Sequence, residues 1–119
     1  MSCLFDSLSK FIPVVSSIEM RNLICDFLSR NEKLTDDMTS ADVINFESDV
    51  PLEKYVASMR QINTMGGATE IKAFCVLFKK NVKVHSIPNG KIIEFISNED
   101  YPVIHLRWTG GHYDPIIEG

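Results

Sequence analysis

Apolar residues up to Lys80 recur at intervals of three and four, which is the spacing of one face of an α-helix. The first such run follows directly on Cys3 and is closed by Pro13. Ser16 and Glu19 form a capping box that opens a second helix, which we expect to end near Asn31. The residues expected on the two buried faces are Leu4, Phe5, Leu8, Phe11, Ile12, Met20, Leu23, Ile24, Phe27 and Leu28.

The middle of the chain is less regular. Residues 32–50 are polar and acidic with short apolar islands, so we expect a long connection that holds one helical turn. Pro51 suits the first position of another helix, because its missing N–H costs nothing there. The glycines at 66–67 break the chain, and a further helix is predicted from about Thr69 to Lys80. The inward residues of these two helices should be Leu52, Tyr55, Val56, Met59, Ile71, Phe74, Cys75 and Phe78.

Beyond Lys80 the apolar period changes from helical spacing to the alternation of a strand. Strands are predicted at 82–86 and 91–96, and the turn between them makes a hairpin. A third strand covers 103–108, and a fourth opens at His112 and continues through Ile117. Helices followed by strands predict an α+β fold, in which a small, mostly antiparallel sheet packs against the helices.

Composition narrows the class of protein. With 119 residues and 45% hydrophobic content, the chain fits a single domain, 1–119, with its own core. A net charge of −4 without a long basic stretch argues against nucleic-acid binding, and no apolar run is long enough to cross a membrane. The three cysteines show neither a disulfide framework nor metal-ligand spacing, so we expect no metal or cofactor and a reduced, cytoplasmic setting. Cys25 and Cys75 fall inside apolar helical patterns and should be core residues.

Candidate chemistry lies near the two ends of the sequence. Cys3 stands at the first turn of a predicted helix, where free N–H groups and the helix dipole favour a nucleophilic thiolate. His112 offers a base, and Asp114 points to the same side of the predicted strand and can orient it. Because Cys3 and His112 are 109 positions apart, spacing alone does not show that they meet. Asp114 also precedes Pro115, so a purely local turn role is the alternative for that carboxylate.

Three other residues are of types common in functional sites. Trp108 precedes the His112 loop and is a candidate substrate-binding residue, with simple packing as the alternative. His85 lies within a strand pattern and is expected to be structural or exposed. His105 alternates with apolar neighbours, so it should point to the opposite face of its strand.

Three blocks of sequence, in this order, resemble the signature blocks of the ovarian-tumour (OTU) family of cysteine proteases. They are Cys-Leu-Phe-x-Ser-Leu at 3–8; Tyr55-x-x-x-Met59 with Met-Gly-Gly-Ala-Thr-Glu-Ile-x-Ala at 65–73; and Ile-His-Leu at 104–106 leading to His-Tyr-Asp at 112–114. The resemblance implies helices around a central sheet and a deubiquitinase that acts on ubiquitin or a ubiquitin-like modifier. It implies Cys3 as the nucleophile, His112 as the general base and Asp114 as the acid that orients the histidine. It also fits a minimal viral member acting in the host cytoplasm.

Two positions depart from the family pattern. Met65 stands where the family usually has tryptophan before the glycine pair. The family's loop before the cysteine helps form the oxyanion hole, yet only Met1 and Ser2 precede Cys3 here. Residues upstream of Met1 could complete that loop, or the Cys3 amide and the amino terminus could replace it. The remaining alternative is a non-catalytic OTU-like module that binds ubiquitin or another protein without cleavage.

Overall fold

A computed structural model describes residues 3–117, so the amino-terminal group, one of the candidates for the role of the family's loop, lies outside the described residues. In that range, five helices precede four strands, which confirms the predicted α+β architecture. The elements are α1 (Cys3–Ser9), α2 (Ser17–Ser29), α3 (Ser40–Glu47), α4 (Leu52–Met59), α5 (Ala68–Phe78), β1 (Asn81–Ser86), β2 (Lys91–Phe95), β3 (Val103–Trp108) and β4 (Tyr113–Ile116).

The capping box predicted for α2 is present. The Glu19 N–H donates to the Ser16 hydroxyl and the Ser16 N–H donates to the Glu19 carboxylate, both at 3.2 Å. The helix ends at Ser29, and Asn31 then turns the chain with a positive φ of 54°. Leu23 was wrongly predicted to be buried: it is 40% exposed, because it lies at the margin of the helix's apolar face.

Helix α3 is longer than the single turn expected in residues 32–50. Thr39 and Asp42 form a second reciprocal capping box, which starts an eight-residue helix. Its Val43 and Ile44 are buried, whereas Phe46 is 85% exposed. Helix α4 follows at Leu52, one residue later than predicted, with Pro51 as its N-cap.

The glycine pair before α5 positions α1. A Cβ atom on Gly66 would lie 2.8 Å from Leu4 Cδ2 and 3.1 Å from the Phe5 ring, so only glycine permits this close approach. A Cβ on Gly67 would meet no atom of the described residues within 4 Å. Helix α5 ends at Phe78, two residues earlier than predicted, because the C-cap Lys79 adopts a left-handed conformation with φ of 56°.

The sheet has the strand order β2-β1-β3-β4. Strand β1 pairs antiparallel with β2 and parallel with β3, and β3 pairs antiparallel with β4. The prediction of a mostly antiparallel sheet is therefore confirmed, with one parallel pair at its centre. Strand β4 lies at an edge of the sheet and contacts α1.

The core lies between the helices and one face of the sheet. It includes Cys25 and Cys75, both buried as predicted. The guanidinium of Arg21 is also buried, donates to the Met59 carbonyl oxygen at 2.7 Å and lies 4.3 Å from the centroid of the Phe5 ring. Arg21 thus contacts both the end of α4 and α1. Of the helices between residues 3 and 117, none is long and apolar enough to cross a membrane.

Candidate active site

A pocket of about 220 Å³ lies between α1 and β4 and is bordered by both Cys3 and His112. Two residues 109 positions apart therefore face the same small space. The other lining residues are Asp6, Ser7, Lys10, Tyr113, Asp114 and Pro115. Among the residues described, no group of three or more histidine, cysteine or acidic side chains is arranged to hold a metal ion.

Ser7 connects the two sides of this pocket. Its hydroxyl oxygen lies 2.8 Å from the carbonyl oxygen of Cys3 and 3.0 Å from that of Tyr113. A hydroxyl has one hydrogen, so Ser7 donates to one carbonyl at a time or shares the hydrogen between them. The contact ties the first turn of α1 to the strand that follows His112.

His112 and Asp114 form a hydrogen-bonded pair, with 2.9 Å between Nε2 and Oδ1. An ionised carboxylate only accepts hydrogen bonds, so Nε2 of His112 is the donor. Its other ring nitrogen, Nδ1, makes no hydrogen bond to any of the described residues. This tautomer leaves Nδ1 with a lone pair that can accept a proton.

Asp114 has a second partner on the neighbouring strand. Arg107 lies directly opposite Asp114 in the β3–β4 register and donates from Nη2 to Oδ2 at 3.2 Å. The hydrogen bonds from Arg107 and from His112 hold the pKa of Asp114 below its ordinary value. The carboxylate is therefore ionised near neutral pH, as an acceptor for His112 must be.

The environments of the three cysteines differ. All three are free and buried, but Cys3, at 7% exposure, is the one that borders the pocket with His112. Burial raises the pKa of Cys25 to about 11 and that of Cys75 to about 12. Because the thiolate is the reactive form, those two are inert thiols at neutral pH.

A larger cavity of about 590 Å³ lies away from these residues, between α5, β2 and the loop 33–36. Cys75 borders it, but none of the predicted site residues does. Its residues Lys33, Lys72, Asp36 and Glu94 carry balanced charges, so electrostatics do not select an anionic or a cationic ligand. We therefore place the candidate site at the smaller pocket.

The remaining candidates lie elsewhere. Trp108 is not among the residues that line the pocket, and it packs against the core, so its substrate-binding role stays a prediction. His85 and His105 share a face of the sheet and are 2.9 Å apart between Nε2 and Nδ1. His105 thus points away from the buried Ile104 and Leu106, as its alternation predicted.

Sequence reasoning did not single out Arg107 or the contact between the half-buried Tyr55 and the buried Glu70. Tyr55 donates its hydroxyl hydrogen to Glu70 at 2.6 Å, and the Gly67 N–H donates to the other carboxylate oxygen at 2.7 Å. Burial raises the pKa of Glu70. Extending the strand pairing outward from the loop between β3 and β4 would have placed Arg107 opposite Asp114. The Tyr55–Glu70 contact, in contrast, has no signal in the sequence around either residue.

Comparison with solved structures places this arrangement in a known fold. An OTU domain solved in complex with ubiquitin superposes on 96% of this chain with a TM-score of 0.76 and 26% sequence identity. The chain has an OTU-like fold. It spans 62% of the length of that neighbour.

Two more distant structures show the same OTU-like fold. The viral OTU domain protease of Qalyub virus matches 97% of this chain and 78% of its own, with a TM-score of 0.72 and 20% identity. An OTU deubiquitinase from Wolbachia pipientis wMel, solved bound to ubiquitin, matches 98% and 90%, with a TM-score of 0.67 and 16% identity. No protein-family model matches the sequence, and no curated protein sequence does.

Proposed function

We propose that residues 1–119 form a single OTU-like domain that is a cysteine-dependent deubiquitinase. It would hydrolyse isopeptide bonds at the C-terminus of ubiquitin or a ubiquitin-like modifier, with Cys3, His112 and Asp114 as its triad. The observation that carries the proposal is the pocket that Cys3 and His112 share, with Asp114 bonded to the histidine. Two of the OTU-like neighbours were solved bound to ubiquitin, which supports the choice of substrate.

The triad chemistry follows from the orientation of His112. Asp114 fixes the Nε2–H, so Nδ1 can take the proton from the Cys3 thiol. The thiolate sulfur then attacks the carbonyl carbon of the modifier's terminal glycine. The carbon–nitrogen bond breaks, His112 returns the proton to the leaving lysine amine, and a thioester remains. Water deprotonated by His112 attacks that thioester, which releases the modifier and restores the thiol.

The pocket is a cleft that is half open to solvent. It has a volume of about 220 Å³ and lies between α1 and β4. The modifier's C-terminal Gly-Gly would lie extended in this cleft, since glycine presents no side chain to the walls. The three free cysteines suit the reduced cytoplasm proposed as the site of action.

A ubiquitin probe with a C-terminal electrophile tests the proposal. We expect a covalent adduct, observed by mass spectrometry, whose attachment maps to Cys3. The adduct should be absent in Cys3→Ala and retained in Cys25→Ala and Cys75→Ala, which are matched controls because their thiols are buried away from His112.

The same experiment separates the enzyme from a binding module. Saturable binding of ubiquitin without an adduct would replace the protease by the non-catalytic module. If the protein neither binds nor forms an adduct with ubiquitin or with probes of the ubiquitin-like modifiers, both functions lose their support.

A further inference from the structure

Asp114 uses its two oxygens on different partners. Oδ1 accepts from His112 Nε2 at 2.9 Å, and Oδ2 accepts from Arg107 Nη2 at 3.2 Å. The β3–β4 register sets the second contact, because Arg107 and Asp114 are directly opposite each other on the paired strands. A rigid antiparallel pair therefore supplies the residue that holds the acid of the proposed triad.

We propose that Arg107 is a positioning residue of this site, which fixes the Asp114 carboxylate so that it holds His112 in the Nε2–H tautomer. This inference rests on the proposed function for its catalytic consequence. Arg107 would touch neither the substrate nor the reacting atoms, and it would act through Asp114 alone.

The geometry explains why one partner does not suffice. Asp114 and His112 are both partly exposed, with side-chain exposures of 35% and 49%, so water competes for each hydrogen bond. A carboxylate held only by the histidine is free to rotate about its Cβ–Cγ bond toward solvent. A second donor on the other oxygen defines the plane of the group, which a guanidinium on a strand is suited to do.

The contact contributes little to folding, which makes a catalytic role separable from a structural one. Arg107 is 51% exposed at the side chain, and exposed ion pairs contribute little to stability. We therefore expect Arg107→Ala to unfold at nearly the same denaturant concentration as the unaltered protein. Arg60→Ala is the matched control, since it also removes the arginine of an exposed ion pair, with Asp26 at 2.8 Å.

Kinetics and NMR together test the proposal. In Arg107→Ala we expect kcat for a ubiquitin substrate to fall roughly 10- to 100-fold, as misorientation of a reacting group does, with KM nearly unchanged. Arg107→Lys should recover part of the loss because it restores a cationic donor, and Arg60→Ala should match the unaltered protein. In ¹⁵N spectra His112 should be mainly the Nε2–H tautomer, and Arg107→Ala should shift it toward a mixture.

The His112 tautomer and the kinetics together separate failure of the positioning role from failure of the proposed protease. An unchanged His112 tautomer and unchanged kcat in Arg107→Ala would overturn the positioning role, whatever the protein's activity. A shifted tautomer in a protein that never labels at Cys3 would keep the positioning role and overturn the proposed protease. A fall in kcat that Arg60→Ala reproduces would assign the effect to general destabilisation and overturn the inference.

Discussion

The hydroxyl oxygen of Ser7 lies 3.0 Å from the carbonyl oxygen of Tyr113, and this contact joins the helix of Cys3 to the strand that follows His112. Ser7 is buried, so its removal leaves a carbonyl without a donor. Ser7 is thus one of the contacts that set the distance between the proposed nucleophile and base.

Ser7→Ala should lower the free energy of unfolding by about 1 kcal/mol, the usual cost of one such hydrogen bond. It should also slow probe labelling at Cys3 several-fold, because α1 would dock less precisely on β4. Ser9→Ala is the matched control: Ser9 is on the same helix and, among the described residues, donates to the Asp6 carbonyl oxygen at 2.8 Å and not to β4. Denaturant titration and labelling rates check both effects. Equal stability and equal labelling rates in the two variants would show that the Ser7 hydrogen bond does not hold α1 on β4.

Gly66→Ala should destabilise the fold by about 1–3 kcal/mol, the range for overpacking a core. Its new methyl group would be 2.8 Å from Leu4 Cδ2, so the Leu4 side chain or α1 must shift, and a shift of α1 would slow labelling at Cys3 as well. Gly67→Ala provides the control, because its methyl group would lie within 4 Å of no atom in residues 3–117. If Gly66→Ala is as stable as Gly67→Ala, the structure accommodates the new methyl group with no loss of free energy of unfolding, which would contradict the prediction.

Glu70 should give the stability of the protein a dependence on pH. Its folded pKa is raised above its ordinary 4.5 by burial, so the folded protein retains a proton that the unfolded chain releases. The free energy of unfolding should therefore fall as pH rises from that ordinary value toward the folded pKa. Glu70→Gln, which still accepts from Gly67 and cannot ionise, should lose this part of the dependence.

Denaturant titrations across that pH range check the prediction. Glu53→Gln, at an exposed position of α4, is the control and should follow the unaltered protein. Identical pH dependence of Glu70→Gln and Glu53→Gln would show that Glu70 does not titrate differently in the folded state.

Asp114→Asn should lower the probe-labelling rate at least roughly 10-fold for a reason specific to Arg107. The amide side chain introduced at position 114 has two possible orientations. If its oxygen faces His112, its N–H₂ group faces the Arg107 guanidinium, and two donors oppose each other. If the amide is turned around, its N–H₂ group faces His112 and favours the wrong histidine tautomer. Adding Arg107→Ala to Asp114→Asn should therefore raise the rate, although Arg107→Ala alone lowers it. A further decrease in the double variant would contradict this account.

Local signals in the sequence predicted most of the elements. The Ser16–Glu19 capping box located the start of α2, and the alternation of residues 103–108 gave β3 with its observed bounds. Helix α3 was underestimated because its apolar residues are few, although Thr39 and Asp42 carry the same capping signal that was used for α2. The prediction that Leu23 is buried was wrong. Helical spacing identifies the apolar face of a helix, but it does not show how much of that face the neighbouring helices cover.

Long-range placement was harder to derive. Alternation gives the face of β1 and β3 on which each residue lies, but it does not show that these strands pair in parallel with β2 outside them. The meeting of Cys3 and His112 was implied by the family resemblance, since 109 positions of spacing carry no distance. Arg107 was overlooked because its role depends on the register between two strands, which a search for motifs does not consider.

The adjacency of α1 and β4 has a consequence for the newly made protein. Ribosomes add roughly 5–20 residues per second, so Cys3 is synthesised several seconds before His112 exists. During that interval the thiol has neither a base nor a pocket. Under the proposed function, reactivity begins only when the last strand docks.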